Sequence, residues 1–114
     1  MQIKEFSARV MTFKLAAALE KYEMDLRALA DPWFDPDVFR RLHEQFGELR
    51  LLGASLPRLS VSWVAVLVSR AKLLQALGQC TAAAGTALHE HLAAVERLHA
   101  RCLRMIGAQG ARLA

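Results

Sequence analysis

Between Ser60 and Gly107 the chain has no proline and carries an unbroken 3,4-spaced series: Val64, Leu67, Ala71, Leu74, Gly78, Thr81, Gly85, Leu88, Leu92, Val95, His99, Cys102 and Ile106. On a helix this spacing gathers every position on one stripe. The two ends of the stripe carry large apolar side chains, while Gly78, Thr81 and Gly85 leave its middle nearly bare. A single helix over 61–106 has a length of about 69 Å, against a radius of gyration of about 13 Å for a compact chain of roughly 100 residues. The stripe therefore divides into two helices, 61–78 and 82–106, bent near Gly78 or Gly85, or it continues unbroken and is propped by a second subunit.

The remainder also reads as helix. Residues 3–30 are rich in Ala, Leu, Met, Lys and Glu and hold no glycine or proline, so intrinsic propensity favours one helix throughout. Its apolar positions fall in two registers, Phe6, Val10, Phe13 and Ala17, then Leu15, Leu19, Tyr22, Leu26 and Leu29. Positions 13 and 15 point about 200° apart. Either the first register meets a second surface, or a bend after Phe13 folds it onto the same core. Asp31-Pro32 ends this helix, because the residue before proline is pushed out of the α region. Asp35-Pro36-Asp37 starts the next, with Asp35 as N-cap and Pro36 where a missing N–H is harmless. Trp33-Phe34 between them is a plug for a bundle end or a docking anchor. The second helix runs to about Leu52; Gly47 is expected at a close packing contact, and Gly53 is expected to end the helix in the left-handed conformation. Ser60 or Ser62 can cap the third helix. The expected fold is all-α: one domain, 1–114, with three to four helices in a compact bundle. An apolar content of 54% is enough for its core.

Few chemistries fit. The net charge of +4 is mild and by itself no nucleic-acid signature. Cys80 and Cys102 fall within the helical pattern, which suits buried thiols in a reducing cytoplasm better than a disulfide. Met1 to Phe6 is charged and lacks the apolar run of a signal peptide, as expected of a cytoplasmic protein. Val61 to Leu77 has about a membrane-spanning length, but Arg70 and Lys72 interrupt it. His89 and His91 lie about 200° apart on a helix and are not the i, i+4 pair of a metalloprotease; both are expected to face solvent, with His99 taking a polar place in the stripe. No nucleophile elbow or glycine-rich phosphate loop is present. The sequence thus predicts neither enzyme activity nor a metal or cofactor. Leu51 to Ser60 resembles the turn of a helix-turn-helix, yet the helix after it is too apolar to read bases. Arg97, Arg101 and Arg104 form a basic stripe suited to phosphates or to solvent, and a small DNA-binding regulator is the alternative reading.

The anomaly is Val61 to Val68, apolar around almost its whole circumference. Such a helix is wrapped by its own chain or buried against another. With this surplus, the chain length, the helix-only pattern, the Ala/Leu/Arg-rich composition and the apolar stripes over Val61 to Val68 and Leu88 to Ile106, the chain resembles the small quorum-sensing antiactivators of the QslA type from Pseudomonas and, more distantly, the TraM family. The resemblance implies a helical homodimer that sequesters a LuxR-type transcription factor by protein contact and keeps it off DNA. No binding residue transfers from it by position. From the residues themselves, Phe6, Val10, Phe13, Trp63 and Val66 are the expected partner-binding set, and Leu88, Leu92, Val95, Cys102 and Ile106 the expected self-association set.

Overall fold

The computed structural model describes residues 2–29, 35–79 and 82–113, with side chains described over 7–29, 35–79 and 82–108. Among these residues four helices succeed one another: α1 (Gln2–Leu29), α2 (Pro36–Ala54), α3 (Ser60–Gly78) and α4 (Ala84–Leu113), with a short 3-10 turn at Pro57–Leu59 before α3. Asp31-Pro32, Trp33-Phe34, Cys80 and Thr81 lie outside the described residues. The long stripe is two helices, joined by a turn that reaches Ala82 and Ala83; no second subunit is needed to shorten it.

Consecutive helices run in opposite directions. Asp25 of α1 meets Arg41 and Gln45 of α2, Phe46 of α2 stacks on Trp63 of α3, and Ser69 of α3 meets His91 of α4. At about 1.5 Å per residue, α2 and α3 are about 28 Å long and α1 and α4 about 42–45 Å. The early turns of α1 and the late turns of α4 therefore project past their neighbours, which gives the molecule its 49 × 21 × 20 Å outline.

Local signals explain most boundaries. The Asp35 carboxylate accepts from the Asp37 N–H at 2.9 Å, with Pro36 in the first turn, as its sequence demands. Helix α1 runs without interruption from Gln2 to Leu29, so no bend occurs after Phe13. Its two registers accordingly face apart: Leu15, Leu19, Tyr22, Leu26 and Leu29 are buried, whereas Phe13 is 54% exposed.

Both glycines of α2 depart from expectation. Gly47 is exposed with nothing within 4 Å of an added Cβ, so no neighbour approaches it. Gly53 does not terminate α2; the helix continues to Ala54 and its cap, Ser55, keeps right-handed φ and ψ of −85° and −2°. Gly53 is instead a contact residue, since a Cβ there meets the Trp63 indole at 2.8 Å. Neither Ser60 nor Ser62 caps α3. The 3-10 turn beginning at Pro57 runs directly into it, with Leu59 in the cap position and no side-chain hydrogen bond.

Candidate functional site

Helix α3 is apolar on two faces, and the bundle uses one of them. Trp63, Val66, Ser69, Leu73 and Ala76 turn inward. The Trp63 indole lies nearly parallel to the Phe46 ring, with centroids 5.6 Å apart, and Gly53 makes room for it. The opposite face carries Val61, Val64 and Val68, exposed by 80%, 53% and 49%. Among the described residues, Pro57–Gly78 is one segment long and apolar enough to cross a membrane by length and composition. Here it lies lengthwise against α4, with Arg70 and Lys72 at mid-helix.

Beside this valine face, α3 and α4 enclose a groove of about 390 Å³. Val61, Ser62 and Ala65 line it from α3, and Ala94, Arg97, Ala100, Arg101 and Arg104 from α4. The alanines that line it, buried Ala94 with exposed Ala65 and Ala100, leave room between the helices. The three arginines form one edge, with the i, i+4, i+7 spacing that aligns side chains along a helix.

A second cluster lies inside the bundle. Fully buried His91 touches Tyr22 through Nε2 at 2.8 Å and Ser69 through Nδ1 at 2.7 Å. Ser69 has a single hydroxyl proton, which it donates to the Val66 carbonyl at 3.0 Å. The His91 Nδ1–H therefore donates to Ser69 Oγ, and Nε2 accepts from the Tyr22 hydroxyl. Every polar atom in this chain of hydrogen bonds is satisfied by a neutral imidazole. Burial, with a smaller contribution from the Arg70 guanidinium, pushes the His91 pKa down to about 4. Burial also raises the Tyr22 phenol well above its usual value, against a lowering contribution from Arg70. Arg70 itself stacks on Phe46, 4.1 Å from the ring centroid, and donates to His43 Nδ1 at 3.1 Å.

Serine beside histidine suggests a nucleophile and its base, but both side chains are buried and the serine proton is committed to a backbone carbonyl. The cluster is a structural tie among helices. Among the described residues no three His, Cys, Asp or Glu side chains gather where they could hold a metal ion.

No family model, curated protein or solved structure matches this chain. Its candidate site is therefore defined by geometry alone.

That geometry redistributes the residues singled out from the sequence. Trp63 and Val66 belong to the private core and are not a free docking surface. Their outward neighbours Val61, Val64 and Val68 hold that position. Phe13 is exposed and Val10 half-buried, while the Phe6 side chain lies outside the described residues. Leu88, Val95 and Cys102 are buried against the chain's own helices, which removes them from a self-association surface; Leu92 and Ile106 are half-buried against the same core. His91 is interior, not solvent-facing, because the buried stripe of α4 passes through Leu88, His91, Val95, Leu98 and Cys102. His99 sits at the margin of that stripe, 3.1 Å from the Glu23 carboxylate. His89 is exposed. Ser69 and His91 stand beside the charged Arg70 and Glu90, so nothing local marks them as a buried pair, and they can be matched only once the two helices are placed antiparallel.

Proposed function

We propose that this protein is a regulatory protein-binding module that works without covalent chemistry, by covering a surface of another protein. The observation that carries this reading is the outward valine face of α3. Three valines stand in solvent on a helix whose other side already supplies the core. Contiguous exposed apolar surface of this kind marks interaction sites. In its finer form, the partner is a LuxR-type transcription factor in the cytoplasm, and binding blocks its dimerisation and its hold on DNA. A homodimer, on this reading, uses the projecting ends of α1 and α4, where Phe13 and Leu103 are exposed; Leu88, Val95 and Cys102 are already occupied.

Titration of a LuxR-type activator bound to its operator tests the finer form. Wild-type protein should release the activator from DNA, and Val64→Asp should fail to do so while keeping its helix content. Undiminished release by Val64→Asp sinks the reading. Photocrosslinking from position 64, with exposed position 47 on α2 as the control, tests the coarser form: a discrete adduct from 64 alone supports it, and equal adducts from both refute it. The basic stripe keeps direct DNA binding as the competing proposal, and a gel shift with operator DNA and no activator separates the two.

A further inference from the structure

The groove between α3 and α4 has a chemical character that the valine face alone does not. From residue 49 to residue 114 the chain holds eight Lys and Arg against two acidic residues, and from 49 to 89 there is no acidic residue at all. The first 48 residues hold seven Lys and Arg against nine acidic residues. The fold converts this division along the chain into a division across the bundle: α1 and α2 carry the mixed charge, and α3 and α4 carry the excess positive charge. Among the described residues the arginine salt bridges involve Arg27, Arg40 and Arg41. Arg97, Arg101 and Arg104 have none, and all three are exposed along one edge of the groove.

We infer that this groove is the docking site for an acidic amphipathic helix of a partner protein. The α3 side of the groove is uncharged, at Val61, Ser62 and Ala65, and the alanines at 94 and 100 are small. Arg97 to Arg104 spans about 10.5 Å along α4. A partner helix lying along the groove with acidic residues at i, i+4 and i+7 presents carboxylates at the same interval. The next positions around that helix, if apolar, meet Val61 and Ala65. Duplex DNA satisfies the arginines but leaves Val61 against phosphates. A bilayer satisfies the valines but is too flat to fill a recess between two helices. An acidic amphipathic helix matches both edges and the concave shape. Its acidity fixes orientation and partner choice, and the apolar contact supplies the area.

This inference rests on the protein-binding reading and narrows it. The test uses the full chain and a fluorescent synthetic peptide of about 18 residues, about 27 Å when helical, with Leu at 3,4 spacing on one face and Glu along its edge. A second peptide replaces each Glu by Lys. Anisotropy titrations should show binding of the Glu peptide that weakens with added salt, and little binding of the Lys peptide. The double variant Arg97→Glu, Arg101→Glu should lose the Glu peptide by about tenfold or more and gain the Lys peptide. Val61→Asp should weaken the Glu peptide with circular dichroism unchanged. Equal binding of both peptides, absence of Glu-peptide binding, or binding of it that survives charge reversal overturns the inference. So does a preference for phosphatidylglycerol vesicles or duplex DNA over the Glu peptide. Failure here, with the Val64→Asp defect in activator release intact, removes the acidic helix and leaves the protein-binding reading standing; loss of both removes both.

Discussion

Acidification from about pH 7 to about pH 5 should destabilise the bundle by about 2 kcal/mol through His91, whose pKa falls from 6.5 to about 4 on folding. The unfolded chain binds the His91 proton below about pH 6.5, and the folded one only near pH 4. Between those values the unfolded state holds more protons, so stability falls as the pH falls. The contribution is complete above about pH 6.5 and is exhausted near pH 4, where the loss reaches about 3 kcal/mol. The groups facing His91 explain the sign. Tyr22 from α1 and Ser69 from α3 satisfy the neutral ring, Phe46 of α2 packs near it, and Arg70 with its partner His43 adds only positive or neutral charge. Among the described residues no carboxylate contacts the ring to hold a proton there. The assay is urea unfolding followed by circular dichroism at several pH values, for wild type and His91→Gln. The two proteins differ only at position 91, so the difference between the two slopes isolates His91. Parallel slopes refute the reasoning. If His91→Gln does not fold, an NMR titration of the wild-type imidazoles serves instead, and a His91 resonance with a midpoint near 6.5 refutes it equally.

Four further outcomes are set by packing. Gly53→Ala places a Cβ 2.8 Å from the Trp63 ring and should cost about 1–3 kcal/mol, whereas Gly47→Ala, in open space on α2, should stabilise by about 0.5–1 kcal/mol; paired urea midpoints compare them. Trp63→Ala should cost about 3–5 kcal/mol, and Val64→Ala, on the outward face, no more than about 0.5 kcal/mol. Burial pushes the Cys102 thiol up to about 11, so in a Cys80→Ser background it should react with iodoacetamide only at denaturant concentrations that unfold the protein. Removing the buried tie by combining Ser69→Ala with His91→Leu leaves the Tyr22 hydroxyl unpaired and should cost about 1–3 kcal/mol, read as a lower urea midpoint.

The helices themselves were legible because their punctuation is local. Asp35-Pro36-Asp37 fixes the start of α2 within three residues, and the length limit on 61–106 forces a break in the long stripe. The second register of α1 gave the core positions of that helix correctly, since Leu15 to Leu29 has a single large-residue face. Helix α3 was not legible in this way. With Val61, Trp63, Val64, Val66 and Val68 all apolar, periodicity cannot say which face is inner. Trp63 fits a partner contact as well as a core position by sequence, and only the Gly53 opening on α2, ten residues earlier, shows where its ring goes. The same limit rotated the reading of α4: a stripe through Leu92 and His99 and one through His91 and Leu98 are offset by a single residue. Their choice is made by tertiary partners, Tyr22 and Ser69 for His91 and Glu23 for His99.

The buried tie and the exposed valines are therefore two aspects of one arrangement. Turning α3 about its axis exchanges buried Val66 for another valine at little cost, but it also brings buried Trp63 and Leu73 out to solvent. Polar groups add to that cost. Turning α3 by one residue, about 100°, carries Ser69 away from His91 Nδ1, and each buried polar group left unpaired costs about 1–3 kcal/mol. Hydrogen bonding and the Trp63–Gly53 fit thus fix the orientation together. By keeping Ser69 inward, His91 helps to keep Val61, Val64 and Val68 outward and Ala65 in the groove lining with the arginines. Protonation of that imidazole weakens the tie, so acid should loosen the orientation of the outward face before it unfolds the rest of the bundle.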